Sequence, residues 1–232
     1  MADGGYRERP ARHAGLAGGV VWDVTAPTDR VGRVLPDGCM DLIWDGARLL
    51  VAGPDTRAHL VTSPAGARYT GLRFAPGVGP LVYGLPANEL TDLRVGLDEL
   101  WPARFVRRLT ERVAGADSAG VALEELAAAR LSAAPEPWRA RAVAALAAGR
   151  GVAETAGELG LSERQLRRRG LAAFGYGPKT LARVLRLQRA LRLTDAGTPP
   201  ATAAFLAGYA DQAHLAREVR ELTGVSLTRL RP

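Results

Sequence analysis

Apolar and polar positions divide the chain into two textures. From Val20 to about Val82 the apolar residues come in short runs: Val20-Val21-Trp22, Met40 to Trp44, Leu49-Leu50-Val51, His59-Leu60-Val61 and Tyr69 to Phe74. Turn signals at Pro36-Asp37-Gly38, Asp45-Gly46, Gly53-Pro54-Asp55, Ser63 to Gly66 and Ala75-Pro76-Gly77 separate them, and this spacing predicts a small β-barrel or sandwich. After Leu97 the period lengthens. Leu100, Phe105, Val106, Leu109 and Val113 keep helical spacing, and a second helical run covers Val121 to Leu131. Pro135-Glu136-Pro137 then reads as an interdomain linker. Beyond it, Trp138 to Ala148 opens an all-α half, with Trp138, Ala142, Val143 and Leu146 as its inner face.

Within that half, Val152 to Gly175 reads as a short helix, a turn and a basic second helix. Ser162 stands at the N-cap with Gln165 three residues on, the spacing of a capping box. Leu166 anchors the second helix, while Arg164, Arg167, Arg168 and Arg169 project elsewhere. This is helix-turn-helix grammar. It is written twice: Leu166, Arg168 and Gly175 recur as Leu215, Arg217 and Gly224, each 49 residues on, with Asp211 in the capping place. Between the units Lys179 to Thr194 is helically periodic. About 16 residues at 1.5 Å each span roughly 24 Å, which with the flanking units suits basic helices one DNA turn apart.

The stretches GLSERQLRRR (160–169), FGYGPKTLARVLRLQRA (174–190) and AGYADQAHLAREVRELTGVSLTRLR (207–231) resemble the DNA-binding domain of the AraC/XylS family of bacterial transcription regulators. The resemblance covers roughly the last 90 residues. One departure is Gly170, where the family usually has phenylalanine and the second unit has Val219. A helical glycine costs about 1 kcal/mol relative to alanine, so the first unit is expected to be the looser reader. LPDGCMDLIWDG (35–46), VAGPDT (51–56), GLRFAPG (71–77) and GLPANELTDLRVGLDELW (84–101) resemble a sensor-type domain found in front of such DNA-binding domains. The resemblance implies base contacts by Arg164, Arg167 and Arg168 in the first unit and by Gln212, Ala213 and Arg217 in the second, with His214 beside them. Gln165 has a rival use as the capping partner of Ser162. Arginine and glutamine early in a recognition helix make bidentate contacts to base edges. Thr180, Arg183, Arg186 and the helix N-termini are expected on phosphates, as is Arg169 on the flank.

Charge agrees with this division. Residues 138–232 hold 16 Lys+Arg against 7 Asp+Glu, while residues 1–137 hold 15 against 17, so double-stranded DNA is expected at the C-terminal part alone. The lone cysteine, Cys39, excludes an intrachain disulfide and any multi-cysteine metal site. No apolar run reaches membrane-spanning length and the first residues lack a signal-peptide core, so a cytoplasmic protein away from membranes is expected. The three histidines are scattered and no HExxH, paired CxxC or GxSxG pattern occurs; no catalytic residue, metal or cofactor is assigned.

The predicted architecture is α+β in two domains. Residues 1–18 are expected to be flexible; residues 19–134 form a β-rich sensing or dimerisation domain with appended helices. Residues 138–232 form the DNA-binding domain, with units at about 152–175 and 200–224 joined by a helix at about 178–195. Trp22, Met40, Asp41, Trp44, Arg73, Phe74 and Tyr83 are candidates for lining an effector pocket, with Asp41 or Arg73 orienting a small molecule. An Asp41–Arg73 ion pair is the competing reading. Helices in 97–131 serve either a homodimer, as in the resembled family, or simply the cover of the β domain. RNA polymerase is a further candidate partner of a transcription regulator. The alternative function is an enzyme or ligand-binding β domain carrying a DNA-targeting module.

Overall fold

The computed structural model describes residues 5–230. Eight strands occupy the first part: β1 (Arg7–Pro10), β2 (Val20–Thr25), β3 (Arg30–Val34), β4 (Asp41–Trp44), β5 (Leu49–Ala52), β6 (His59–Ser63), β7 (Arg68–Arg73) and β8 (Arg94–Gly96). Six form an antiparallel sheet in the order β1-β2-β7-β4-β5-β8, and β3 pairs with β6 in a separate ribbon. Register sets the core. Val21, Leu72, Leu42 and Val51 lie in one cross-strand row and are all at most 2% exposed, so one sheet face is apolar and needs a cover.

Helices supply it. After the short α1 (Gly79–Tyr83) and α2 (Leu97–Leu100) come α3 (Ala103–Ala114) and α4 (Ala119–Arg130), of which α4 packs on β2 and β7. Leu109, Val113, Leu123, Leu126 and Ala127 join the sheet in one core. The appended helices thus cover the β domain.

The glycine-rich start differs from expectation. Residues 1–4 lie outside the described residues, but Arg7–Pro10 pairs with Val20–Asp23 as an edge strand and Leu16 is buried. Glu124 of α4 holds the segment down, facing Arg9 at 2.5 Å and accepting from the Arg12 N–H at 2.5 Å. The tie is a carboxylate more than a hundred residues away.

The remainder is helical: α5 (Pro137–Ala147), α6 (Val152–Glu158), α7 (Glu163–Phe174), α8 (Pro178–Asp195), α9 (Pro200–Ala207), α10 (Gln212–Thr223) and α11 (Leu227–Leu230). Two small cores share α8. Leu181, Val184 and Leu185 pack with Ala142, Leu146, Ala156, Leu166 and Phe174. Leu187, Ala190 and Leu191 pack with Ala204, Tyr209, Leu215, Val219 and Leu222. One helix therefore runs through two helix-turn-helix units, α6–α7 and α9–α10.

Candidate nucleic-acid interface

Each second helix starts at a satisfied cap. In the first unit the Gln165 N–H donates to Ser162 Oγ at 3.2 Å, and the Ser162 N–H donates to Gln165 Oε1 at 2.8 Å. In the second the His214 N–H donates to Asp211 Oδ1 at 2.6 Å. Such caps fix the first turn, where a reading helix approaches bases. Along α7, Leu166, Gly170, Ala173 and Phe174 face inward and Arg164, Arg167 and Arg168 are exposed. Along α10, Leu215, Glu218, Val219 and Leu222 face inward, while Gln212, Ala213 and Arg217 are exposed.

Four expected contact residues have other employment. Gln165 gives its carbonyl oxygen to the capping box, leaving only its amide group for a base. His214 sets its ring edge-on to Tyr209, with centroids 5.2 Å apart, and is half-buried. Arg183 and Arg186, expected on phosphates, reach Glu218 instead: Arg183 Nε lies 3.3 Å from Oε2 and Arg186 Nη2 lies 2.8 Å from Oε1. Arg183 also meets Glu221 at 2.9 Å, and Arg186 lies over the Tyr209 ring at 4.5 Å. The reason is the burial of Glu218, which is 6% exposed; an ionised carboxylate there requires partners. Burial, then Glu218, pushes the Tyr209 hydroxyl up to about 12, so it stays protonated and faces Glu218 at 3.4 Å. Arg169, expected on the flank, stays exposed with its guanidinium 5.8 Å over the Trp138 ring.

Thr180 does lie with the readers. An open groove is lined by Val152 of α6, Glu163, Arg164, Arg167 and Leu171 of α7, and Gly177, Pro178, Lys179 and Thr180 at the start of α8. Pro178 occupies the first helical position and has no N–H to satisfy, whereas the amides of the next two residues have no intrahelical acceptor. Two arginines, a lysine and a helix N-terminus outweigh Glu163 and leave this groove net positive. Lys179 escaped the sequence reading, although the Gly-Pro-Lys-Thr start of α8 carries the signal.

Residues 155–232 match the family described as a helix-turn-helix domain. That match falls on two capped units built around one shared helix. These residues carry an AraC-type helix-turn-helix domain, which supports a DNA-binding transcription regulator. Residues 20–96 match a domain of unknown function, DUF6597. No curated protein matches the chain. Among solved structures, an apo point variant of ToxT from Vibrio cholerae strain SCE256 is similar at a TM-score of 0.50 and 13% identity, covering 96% of this chain and 98% of that one. ToxT from Vibrio cholerae O395 bound to (E)-4-(8-methylnaphthalen-1-yl)but-3-enoic acid is similar at 0.50 and 11% identity, covering 97% of each chain. A probable AraC family regulator from Rhodopseudomonas palustris is 25% identical over 42% of this chain and 100% of its own, at a TM-score of 0.35. The ToxT likeness is one of fold across both domains.

The effector pocket expected in the N-terminal domain does not assemble from its seven candidates. Trp44 of β4, Met40 and Phe74 beside β4 and β7, and Tyr83 of α1 lie on the core side, where Met40, Phe74 and Tyr83 are at most 4% exposed. Trp22, Asp41 and Arg73 lie on the other side. There Trp22 Nε1 donates to Asp41 Oδ1 at 2.7 Å, and Arg73 Nε stands 3.5 Å from Asp41 and 3.2 Å from Asp37. The ion-pair reading is the one observed. Burial pushes the Asp41 carboxyl above the usual range against the pull of Arg73. Burial, helped by Asp37, likewise pushes the Cys39 thiol well up, so it is held as a thiol. Among the described residues no group of three or more His, Cys, Asp or Glu is placed to hold a metal. No helix among them is long and apolar enough to cross a membrane.

Proposed function

We propose that α7 and α10 enter two successive major grooves on one face of a promoter duplex and read it with Arg164, Arg167 and Arg168 at one site and Gln212, Ala213 and Arg217 at the other. The observation that carries this reading is the exposure of these side chains on the early turns of two capped helices. The helices are joined through an α8 of 18 residues, roughly 27 Å of helix at 1.5 Å per residue. Lys179 and Thr180, on the edge of the same groove, supply affinity through phosphate and fix register. Selection from a randomised duplex pool at two salt concentrations tests this. Two half-motifs about 10 base pairs apart are expected; retention without enrichment, collapsing at the higher salt, would leave phosphate binding alone.

Modulation through the N-terminal domain belongs to the same reading. ToxT, alike in fold, has been solved with a naphthalenyl butenoic acid bound, so apolar carboxylates are the first effector class to screen. A ligand of the folded state raises the melting temperature with concentration. Flat melting curves across the class remove this effector chemistry.

A further inference from the structure

Both reading helices end against the N-terminal domain. At the end of α7, Thr91 Oγ1 donates to the Gly175 carbonyl at 2.9 Å. Pro54 is so close that a Cβ on Gly175 would collide with its ring. At the end of α10, the Ala58 N–H donates to the Leu222 carbonyl at 2.7 Å, and the Arg33 guanidinium donates to the Thr223 carbonyl at 2.5 Å. Between them the α8 side chain of Gln188 donates to the Pro36 carbonyl at 2.7 Å, while Leu35 packs against the second helical core.

These contacts share a logic. The last carbonyls of a helix lack intrahelical donors and carry the negative end of its dipole, so a guanidinium is a strong cap for them. The ribbon of β3 and β6 reaches α10, and the loops after β5 and before β8 reach α7; all four segments belong to one domain. The side chains that face DNA sit at the opposite, N-terminal ends of both helices and stay exposed. The N-terminal domain thus grips each reader from behind without covering it. Without that grip only α8 would relate the units, each built on its own core.

We infer that Arg33 and Thr91 are positioning residues that set the half-site spacing the regulator accepts. The inference rests on the two-groove reading above. One base pair more or less shifts the second site by about 3.4 Å and rotates it by about 35°. Units tied to one rigid body cannot follow that change, whereas units joined by α8 alone can flex toward it.

The test uses the full chain, the selected operator, operators with one base pair added or removed between half-sites, and operators with one half-site scrambled. Affinities of the unaltered protein and of the Arg33→Met/Thr91→Val variant are compared by fluorescence anisotropy. The unaltered protein is expected to lose about tenfold on changed spacing and the variant less than about threefold, with single half-sites bound equally by both. Equal spacing penalties overturn the inference, as does a loss on single half-sites that matches the loss on the full operator. Arg33→Met alone, on an exposed strand, answers the same question if the double variant does not fold. A protein with no sequence preference sinks the two-groove reading and this inference together; a sequence preference without a spacing penalty sinks this inference alone.

Discussion

Arg168 on α7 and Arg186 on α8 are the same side chain in opposite settings. Arg168 is exposed and makes no ion pair among the described residues, so Arg168→Ala should leave the melting temperature unchanged. It should also lower discrimination at one operator position by about 1–3 kcal/mol, measured by anisotropy on single-base variants. Arg186 is bound to Glu218 and stacked on Tyr209; Arg186→Ala should cost about 1.5–3 kcal/mol in urea unfolding by stripping a charged hydrogen bond from a buried carboxylate. Glu124 shows the same dependence on neighbours. Burial pushes its carboxyl up, but hydrogen bonds from Arg9 and the Arg12 N–H outweigh this and leave it below the ordinary value. A carboxylate lowered by folding stabilises above its unfolded-state value and loses that contribution as pH falls through the folded one. The stability gap between the unaltered protein and Glu124→Gln should therefore be largest near neutrality and shrink below about pH 4.

At the scale of the element, the two readers are helices of equal length with different middles. From sequence, Gly170 in place of the family's phenylalanine is expected to make α7 the looser reader. Instead the backbone of Tyr176 and the ring of Pro178 close in, and an added Cβ would meet them at 3.5 and 3.7 Å, ordinary contact distances. Gly170→Ala should thus raise stability by about 0.5–1 kcal/mol, read as a higher thermal midpoint, because alanine loses less backbone entropy than glycine in a helix. Gly175 five residues on should behave oppositely. Its φ of +83° lies in the left-handed region and Pro54 occupies the space of a side chain, so alanine there strains α7 where it meets the N-terminal domain.

Across the whole molecule, the charge of one helix bears on assembly. The outward face of α3 carries Arg104, Arg107, Arg108 and Arg112 against the one exposed carboxylate of Glu111, so it is strongly net positive. A two-fold contact through α3 would set like charges face to face, and the apolar face of α4 is already spent on the sheet. Light scattering of the DNA-free protein at micromolar concentration should accordingly report a monomer; a stable dimer would mean that another surface, outside α3, supplies the contact.

Much was written locally. Ser162 with Gln165, Asp211 before α10, the offset between Leu166 and Leu215, and the turns between apolar runs each depend on residues a few positions apart, so the sequence alone determined a β-rich first part, two capped helix-turn-helix units and their shared helix. The edge strands Arg7–Pro10, Arg30–Val34 and Arg94–Gly96 carry no apolar run, since edge and ribbon strands bury little, and they became strands only through their neighbours. The partners of Arg183, Arg186 and Asp41, the split of the pocket candidates between two sheet faces, and the grip of Arg33 and Thr91 on the reader ends were decided by tertiary structure. A charged side chain is committed by whichever buried opposite charge or orphan carbonyl the fold brings within about 3 Å, and periodicity along a chain records burial but not which distant group shares it.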